Sequence, residues 1–396
     1  SIYSFFGYLF PNDISYSILT SSLIMILFSI AFKKKQLVIS KQLNIILLIT
    51  FFIFIQLLSV IFSVAPSNSL KVFVNRSVIL IIGILFCLET NWYKSGIKIL
   101  FVFSFIHMFF TILLYLFPTI FSNFLSQKLP SETSIYITSA MSRGLYPGIT
   151  NQVARNAFYI SVGIAVLCNE LIKDKHNRNK YIIMCVFLLA LLLTGKRGHL
   201  VSNFIAILLT SIVYTKYKNK KIFTTVIRAV VIILLIFIVL TIIFPEAAIP
   251  IMRFIERKGR DQSSGRIQLY ILALDLFYQR PIMGWGIGTY NYLFGTGTHN
   301  MYLQVLSENG VIGLVCLLLV LFANILNGIK SIKFSLFKEG TVDNKYLIFS
   351  LYIQFFYIMY ALTGNPLNDG FRLIIYLLAS SIPYTIKLKK VKLISK

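Results

Sequence analysis

Three short polar stretches interrupt the apolar runs of this chain, and each holds a side chain able to act on an anion or a hydroxyl. The first is Gly297-Thr298-His299-Asn300, just ahead of an apolar run that starts near Met301. An imidazole loses its proton near neutrality, so His299 is a candidate general base; a structural histidine capping a helix is the competing reading. The second runs from Gly259 to Tyr290 and carries Arg266 and Arg280. After Ser264-Gly265, the spacing of Ile267, Leu269, Tyr270, Leu272, Ala273, Leu276 and Phe277 predicts an amphipathic helix near 264–279 lying on the membrane surface, ended by Pro281. Gly284, Gly286 and Gly288 follow. Without a preceding strand they are no dinucleotide fingerprint, and they read as a flexible loop touching a ligand. The third is Thr194-Gly195-Lys196-Arg197-Gly198-His199. It is too short to be a domain, so its charges sit at a membrane boundary, where charge is costly and suggests function. An ordinary turn with two snorkelling bases is the alternative.

The two basic residue types are distributed differently. Of 26 lysines, most fall in short loops: Lys33 to Lys35, Lys173 to Lys180, Lys216 to Lys221, Lys330 to Lys345 and the tail from Lys387. Short Lys-rich loops stay in the cytoplasm. Of 12 arginines, ten fall on the other side: Arg76, Arg143, Arg155, Arg197, Arg253, Arg257, Arg260, Arg266, Arg280 and Arg372. Retention of positive loops explains the lysines but not this excess. A guanidinium grips phosphate or carboxylate oxygens with a planar fork, so the pattern suggests an anionic ligand on the outer face. Lipid headgroups, or ion pairs with Glu246, Glu256, Asp261 and Asp369, are the competing reading.

The elements that must position these groups are membrane helices. The chain has 396 residues, 57% apolar and 13% charged, where soluble domains carry roughly 25% charged residues. Runs such as Asn44 to Val64 and Val226 to Phe244 are long enough to cross a bilayer as helices, which satisfy their own backbone there. The expected fold is all-α: a single polytopic membrane domain over 1–396 with about 11–12 spans. Eleven spans are read at roughly 15–32, 43–64, 72–88, 97–117, 153–172, 181–194, 200–215, 222–244, 301–328, 346–362 and 371–386. Two large outer loops, 118–150 and 245–300, separate them, the second carrying the expected active site. The C-terminus falls inside. The chain opens at Ser1 without a Met, and a further span upstream would place both ends inside.

Several function classes drop out. The net charge of +25 is scattered in small clusters between apolar runs, which argues against nucleic acid as a partner. Cys87, Cys168, Cys185 and Cys316 lie in apolar runs without ligand spacing, so no metal and no cofactor is expected. There is no P-loop, zinc-protease motif or nucleophile elbow, and the outer carboxylates are too scattered for a glycosidase pair. His107 reads as a packed mid-span residue and His176 as a solvated loop residue. A transporter would need polar residues along a path through the bilayer, and His107 is the main one.

The string Gly284-Trp285-Gly286-x-Gly288-Thr289-Tyr290, then His299-Asn300-x-Tyr302-Leu303-Gln304, then Glu308-Asn309-Gly310-x-Ile312-Gly313 resembles the O-antigen ligase and O-antigen polymerase superfamily. Arg266 upstream and the 194–198 turn add to the match, and Lys196 departs from it, a small residue such as Ser being common there. The resemblance implies an integral-membrane glycosyltransferase of the GT-C type, metal-independent and inverting, in the bacterial inner membrane with its site facing outward. The implied donor is a glycan on undecaprenyl diphosphate. The acceptor is a second lipid-linked glycan for a polymerase, or lipid A–core for a ligase. Membrane lipids and a chain-length regulator are the other implied partners. A diphosphate leaving group needs positive charge where its negative charge develops. Arg197 and Arg266 are the residues expected to supply it, with His299 as base. Arg280, Gly286, Gly288, Asn300 and Tyr302 complete the expected substrate-binding set. Two signs favour polymerase and capsule or O-antigen synthesis: a Lys-, Asn-, Ile- and Tyr-rich composition typical of AT-rich genomes, and two outer loops able to hold donor and acceptor.

Overall fold

The computed structural model describes residues 43–90, 92–120, 123–124, 126–173, 178–218, 239, 242, 265–337 and 344–394. The expected span 15–32, that at 222–244 apart from residues 239 and 242, and Ser264 lie outside the described residues. So do Arg228, Arg253, Arg257, Arg260, Glu246, Glu256, Asp261 and His176. The described residues are helical, with no strand among them. The helices are α1 Leu43–Ile61, α2 Pro66–Leu88, α3 Tyr93–Leu116, α4 Ser131–Met141, α5 Val153–Lys173, α6 Arg178–Leu193 and α7 Arg197–Tyr217. They continue with α8 Arg266–Gln279, α9 Thr289–Phe294, α10 Met301–Phe337, α11 Asn344–Tyr360 and α12 Gly370–Ile394. Six of the described helices are long and apolar enough to cross a membrane: α1, α2, α3, α7, α10 and α12. The protein is a multi-pass membrane protein.

The described residues fall into two compact units. One is drawn from Trp92–Arg260 and Ile332–Ile353, the other from Thr20–Asn91, Asp261–Ser331 and Gln354–Lys396. In the first unit, α5 packs against α3, α6 and α7. Its middle is buried all round, from Ala157 through Leu167, as expected of a helix enclosed by others. Gly163 permits the closest approach, since a Cβ there would lie 2.1 Å from the Phe187 ring of α6. One hydrogen-bonded network inside this unit joins α5, α7 and α11. Tyr352 donates to Asn203 Oδ1 at 2.7 Å, and Asn203 Nδ2 donates to Ser161 Oγ and to the His199 carbonyl. His107 is buried with its ring 4.6 Å from that of Tyr159, the packed role its position suggested.

In the second unit, α2 packs on α1, α9 and α12. Pro66 opens α2, where the missing N–H is no loss. The helix α8 forms where the apolar spacing predicted one, and Arg280 caps its end before Pro281. Helix α10 differs from expectation. It begins at Met301 and runs 37 residues, but Gly310 breaks it with φ 64 and ψ −167. The apolar run and the first three turns are thus separate rods joined at a glycine. The reason is a competing partner: the Val311 N–H goes to the Pro281 carbonyl.

Candidate active site

The glycine loop is pinned along the top of α10. Trp285 N–H donates to the Ser307 carbonyl and Gly286 N–H to the Glu308 carbonyl, at 3.1 and 2.9 Å. A run that reads in sequence as a flexible loop is therefore hydrogen-bonded backbone. Its glycines have a steric cause. A Cβ at Gly284 would sit 2.4 Å from the Glu308 backbone, and one at Gly286 2.4 Å from Ser63. Both adopt positive φ, which glycine alone holds without strain. The turn between α1 and α2 closes on the loop from the other side. Ser69 donates to the Ile287 carbonyl, Asn68 to the Gly288 carbonyl, and Ile287 N–H to Ser59 Oγ. Gly286 and Gly288, expected against substrate, thus make their contacts with protein.

His299 sits at φ 56, the one non-glycine residue with positive φ among the described residues. A left-handed backbone costs such a residue about 1–2 kcal/mol and persists where surroundings impose it, often at functional sites. The imposing contacts lie on either side of it. Thr298 Oγ1 donates to the Asn300 carbonyl at 2.6 Å and accepts from its N–H at 3.1 Å. Asn300 Oδ1 accepts from the N–H groups of Tyr302 and Leu303, and so caps α10. The capping role considered for His299 belongs to Asn300, leaving the His299 side chain exposed. Met301 N–H donates to the carbonyls of Ala361 and Gly364, which docks the helix start on the turn after α11. Asn300→Ala is expected to cost about 1 kcal/mol of stability through the lost cap, read as a lower midpoint of heat unfolding in detergent.

Arg266 is the first residue of α8, half-buried, following Gly265 at φ 79. That helix is fixed by Trp285 Nε1 donating to the Leu276 carbonyl and by Tyr290 donating to the Leu269 carbonyl, both at 2.8 Å. Apolar contacts among Ala273, Leu276, Tyr290, Trp285 and Leu303 complete the joint to α9 and α10. Burial pushes the Tyr290 phenol up to about 12, so it stays a neutral donor. Arg280 is exposed and stacks over the Trp285 ring at 4.1 Å. The Tyr302 hydroxyl, expected toward sugar, donates to the Ile358 carbonyl at 3.0 Å. Arg266, His299, Asn300, Tyr302, Arg280 and the glycines all belong to the second unit. Arg197 belongs to the first, as the opening residue of α7, after a turn in which Gly195 takes φ 66.

Four of the arginines expected on the outer face bond within the protein. Arg76 is buried and donates to Asn368 Oδ1 at 2.7 Å, and Arg372 pairs with Asp369 at 3.4 Å and with the Tyr360 hydroxyl at 2.8 Å. Arg143 and Arg155 bond locally to the Ser139 carbonyl and the Asn151 side chain. For these four, pairing within the protein is the observed use. Sequence reading gave no role to Gln304, Glu308 and Asn365, which form a buried polar cluster. Gln304 Nε2 donates to Glu308 Oε1 at 2.9 Å and to Asn291 Oδ1 at 3.0 Å, and Asn365 Nδ2 donates to Gln304 Oε1. The available signal was a lone acid at the head of an apolar run. Among the described residues, no group of three or more His, Cys, Asp or Glu could hold a metal ion.

Residues 182–318 match the Wzy_C family model, described as O-antigen ligase. Over these residues the chain is similar to that family. The matched segment contains Arg197, Arg266, the glycine loop, His299 and Glu308. No curated protein matches the chain. The Wzy_C segment thus includes both the 194–199 turn and the pinned loop before α10.

Proposed function

We propose that this protein is a membrane glycosyltransferase that extends undecaprenyl-diphosphate-linked repeat units at the outer face of the bacterial cytoplasmic membrane. The observation that carries this reading is His299, an exposed imidazole held in a left-handed turn at the head of α10 within the Wzy_C segment. An acceptor sugar hydroxyl attacks the anomeric carbon of the donor. A new glycosidic C–O bond forms with inversion, the C–O bond to diphosphate breaks, and the hydroxyl proton passes to His299. Arg266 grips the departing diphosphate, whose negative charge grows as the bond breaks. The polyprenyl tail stays in the bilayer, which accounts for a site at a lipid boundary.

Arg266→Lys tests the fork. It keeps the charge but removes bidentate geometry, and is expected to lower kcat by roughly tenfold. Unchanged kcat would reduce Arg266 to a point charge. The ligase reading has one observation in its favour, the O-antigen ligase description of the matched family. Purified protein with lipid-linked repeat units alone separates the two. Elongation without lipid A–core supports the polymerase, and transfer only after lipid A–core is added overturns it in favour of the ligase.

A further inference from the structure

We propose that Glu308 is a positioning residue for His299: its buried carboxylate sets the donor–acceptor sense of an amide chain, Gln304 to Asn365, that ends on the turn carrying the imidazole. This rests on His299 being the base of glycan transfer.

An ionised carboxylate only accepts hydrogen bonds, whereas an amide can present either end. Glu308 is 1% exposed. It accepts from the backbone N–H groups of Gly288 and Tyr290 and from Gln304 Nε2, and it faces the charge of Arg76. With Nε2 committed, Gln304 must turn Oε1 toward Asn365 Nδ2. Asn365 must then turn Oδ1 toward the Thr298 hydroxyl, 3.3 Å away, where it shares the one hydroxyl proton with the closer Asn300 carbonyl. Thr298 is fully buried, and its hydroxyl makes both bonds that shape the 298–300 turn. Gly297 lies flat on the same amides, where a Cβ would come within 2.4 Å of Asn365 Nδ2. The carboxyl two turns down α10, accepting from Gln304, therefore sets which face the chain shows to the residue before His299.

Glu308→Gln changes the sense without changing the shape. The oxygen of the introduced amide would still accept from Gly288 and Tyr290, so its NH₂ would face Gln304. Gln304 and Asn365 would each have to flip, and an NH₂ would meet Thr298 in place of an oxygen. Moving the charge one turn, in the double variant Glu308→Gln with Gln304→Glu, restores the original sense. The carboxylate, now at position 304, would accept from both the amide at position 308 and Asn365, and the exposed Asn291 is free to rotate.

The experiment measures kcat and donor KM of purified full-length protein with lipid-linked repeat units. Glu308→Gln should lower kcat about ten- to a hundredfold, because small misplacement of a catalytic group is that costly. Donor KM should stay within about twofold, the sign that binding is intact. The double variant should recover kcat to within about threefold of the parent. Parental kcat in Glu308→Gln overturns the proposal, as does loss carried by KM or a double variant no better than the single. If Glu308→Gln does not purify folded, Thr298→Val cuts the same chain at its far end. It should lower kcat alone, and parental kcat there overturns the proposal too. A His299→Ala control separates the two layers. Activity in that control removes His299 as base and the positioning with it. A dead control beside a fully active Glu308→Gln removes the positioning alone.

Discussion

His299→Ala is expected to lower glycan transfer by about a hundred- to ten-thousand-fold, the usual contribution of a positioned general base. The backbone makes this a clean substitution. Histidine and alanine both bear a Cβ at φ 56, so the strain of the left-handed turn is the same before and after. The cap of α10 belongs to Asn300 and survives the change. His299→Asn, which tolerates this backbone well, should be as inactive as alanine while folding at least as stably. In cells without the parental gene, both variants should leave short glycans on a gel, and long-chain polymer from either would remove the base assignment.

Gly310→Ala is expected to be the most damaging small substitution for the fold around the site. The φ 64, ψ −167 backbone belongs to a region that L side chains scarcely occupy, at a cost of about 1–3 kcal/mol. The added Cβ would also lie 2.2 Å from the Ile282 carbonyl oxygen and 2.4 Å from its carbon, rigid backbone that cannot swing aside. Overpacking of this kind adds about 1–3 kcal/mol. Gly295→Ala is the matched control. It shares a positive φ of 67, but nothing lies within 4 Å of the new Cβ, so only the backbone cost of about 1–2 kcal/mol remains. Heating in detergent should melt Gly310→Ala well below Gly295→Ala, and Gly310→Ala should lose transfer along with stability. Equal melting of the two would mean that the Ile282 contact yields.

Much of this was legible in the sequence for definite reasons. Bilayer thickness and backbone self-satisfaction turn long apolar runs into helices, so α1, α2, α3 and α12 lie where hydropathy put them. Apolar spacing found α8, and Pro281 marked its end. The kink in α10 was not legible, because Glu308-Asn309-Gly310 carries no local breaker strong enough to outweigh the apolar run that follows. It took the Pro281 carbonyl, 30 residues earlier in the chain, to capture the Val311 N–H. The glycines stand out in the sequence, but the neighbours that require them do not. Their types announce close approach, and only the neighbours Ser63, Val72 and Glu308 reveal that the approach is to protein. The arginines divide in the same way. Counting placed Arg76 and Arg372 on the outer side, but not Asn368, Asp369 and Tyr360, which engage them.

The backbone bonds joining residues 281–286 to 307–311 have a consequence for how a substrate reaches the protein. A segment whose amides complete a neighbouring helix cannot swing out as a gate without fraying that helix. Entry of a lipid-borne glycan must leave this seam shut, with admission controlled by other parts of the chain.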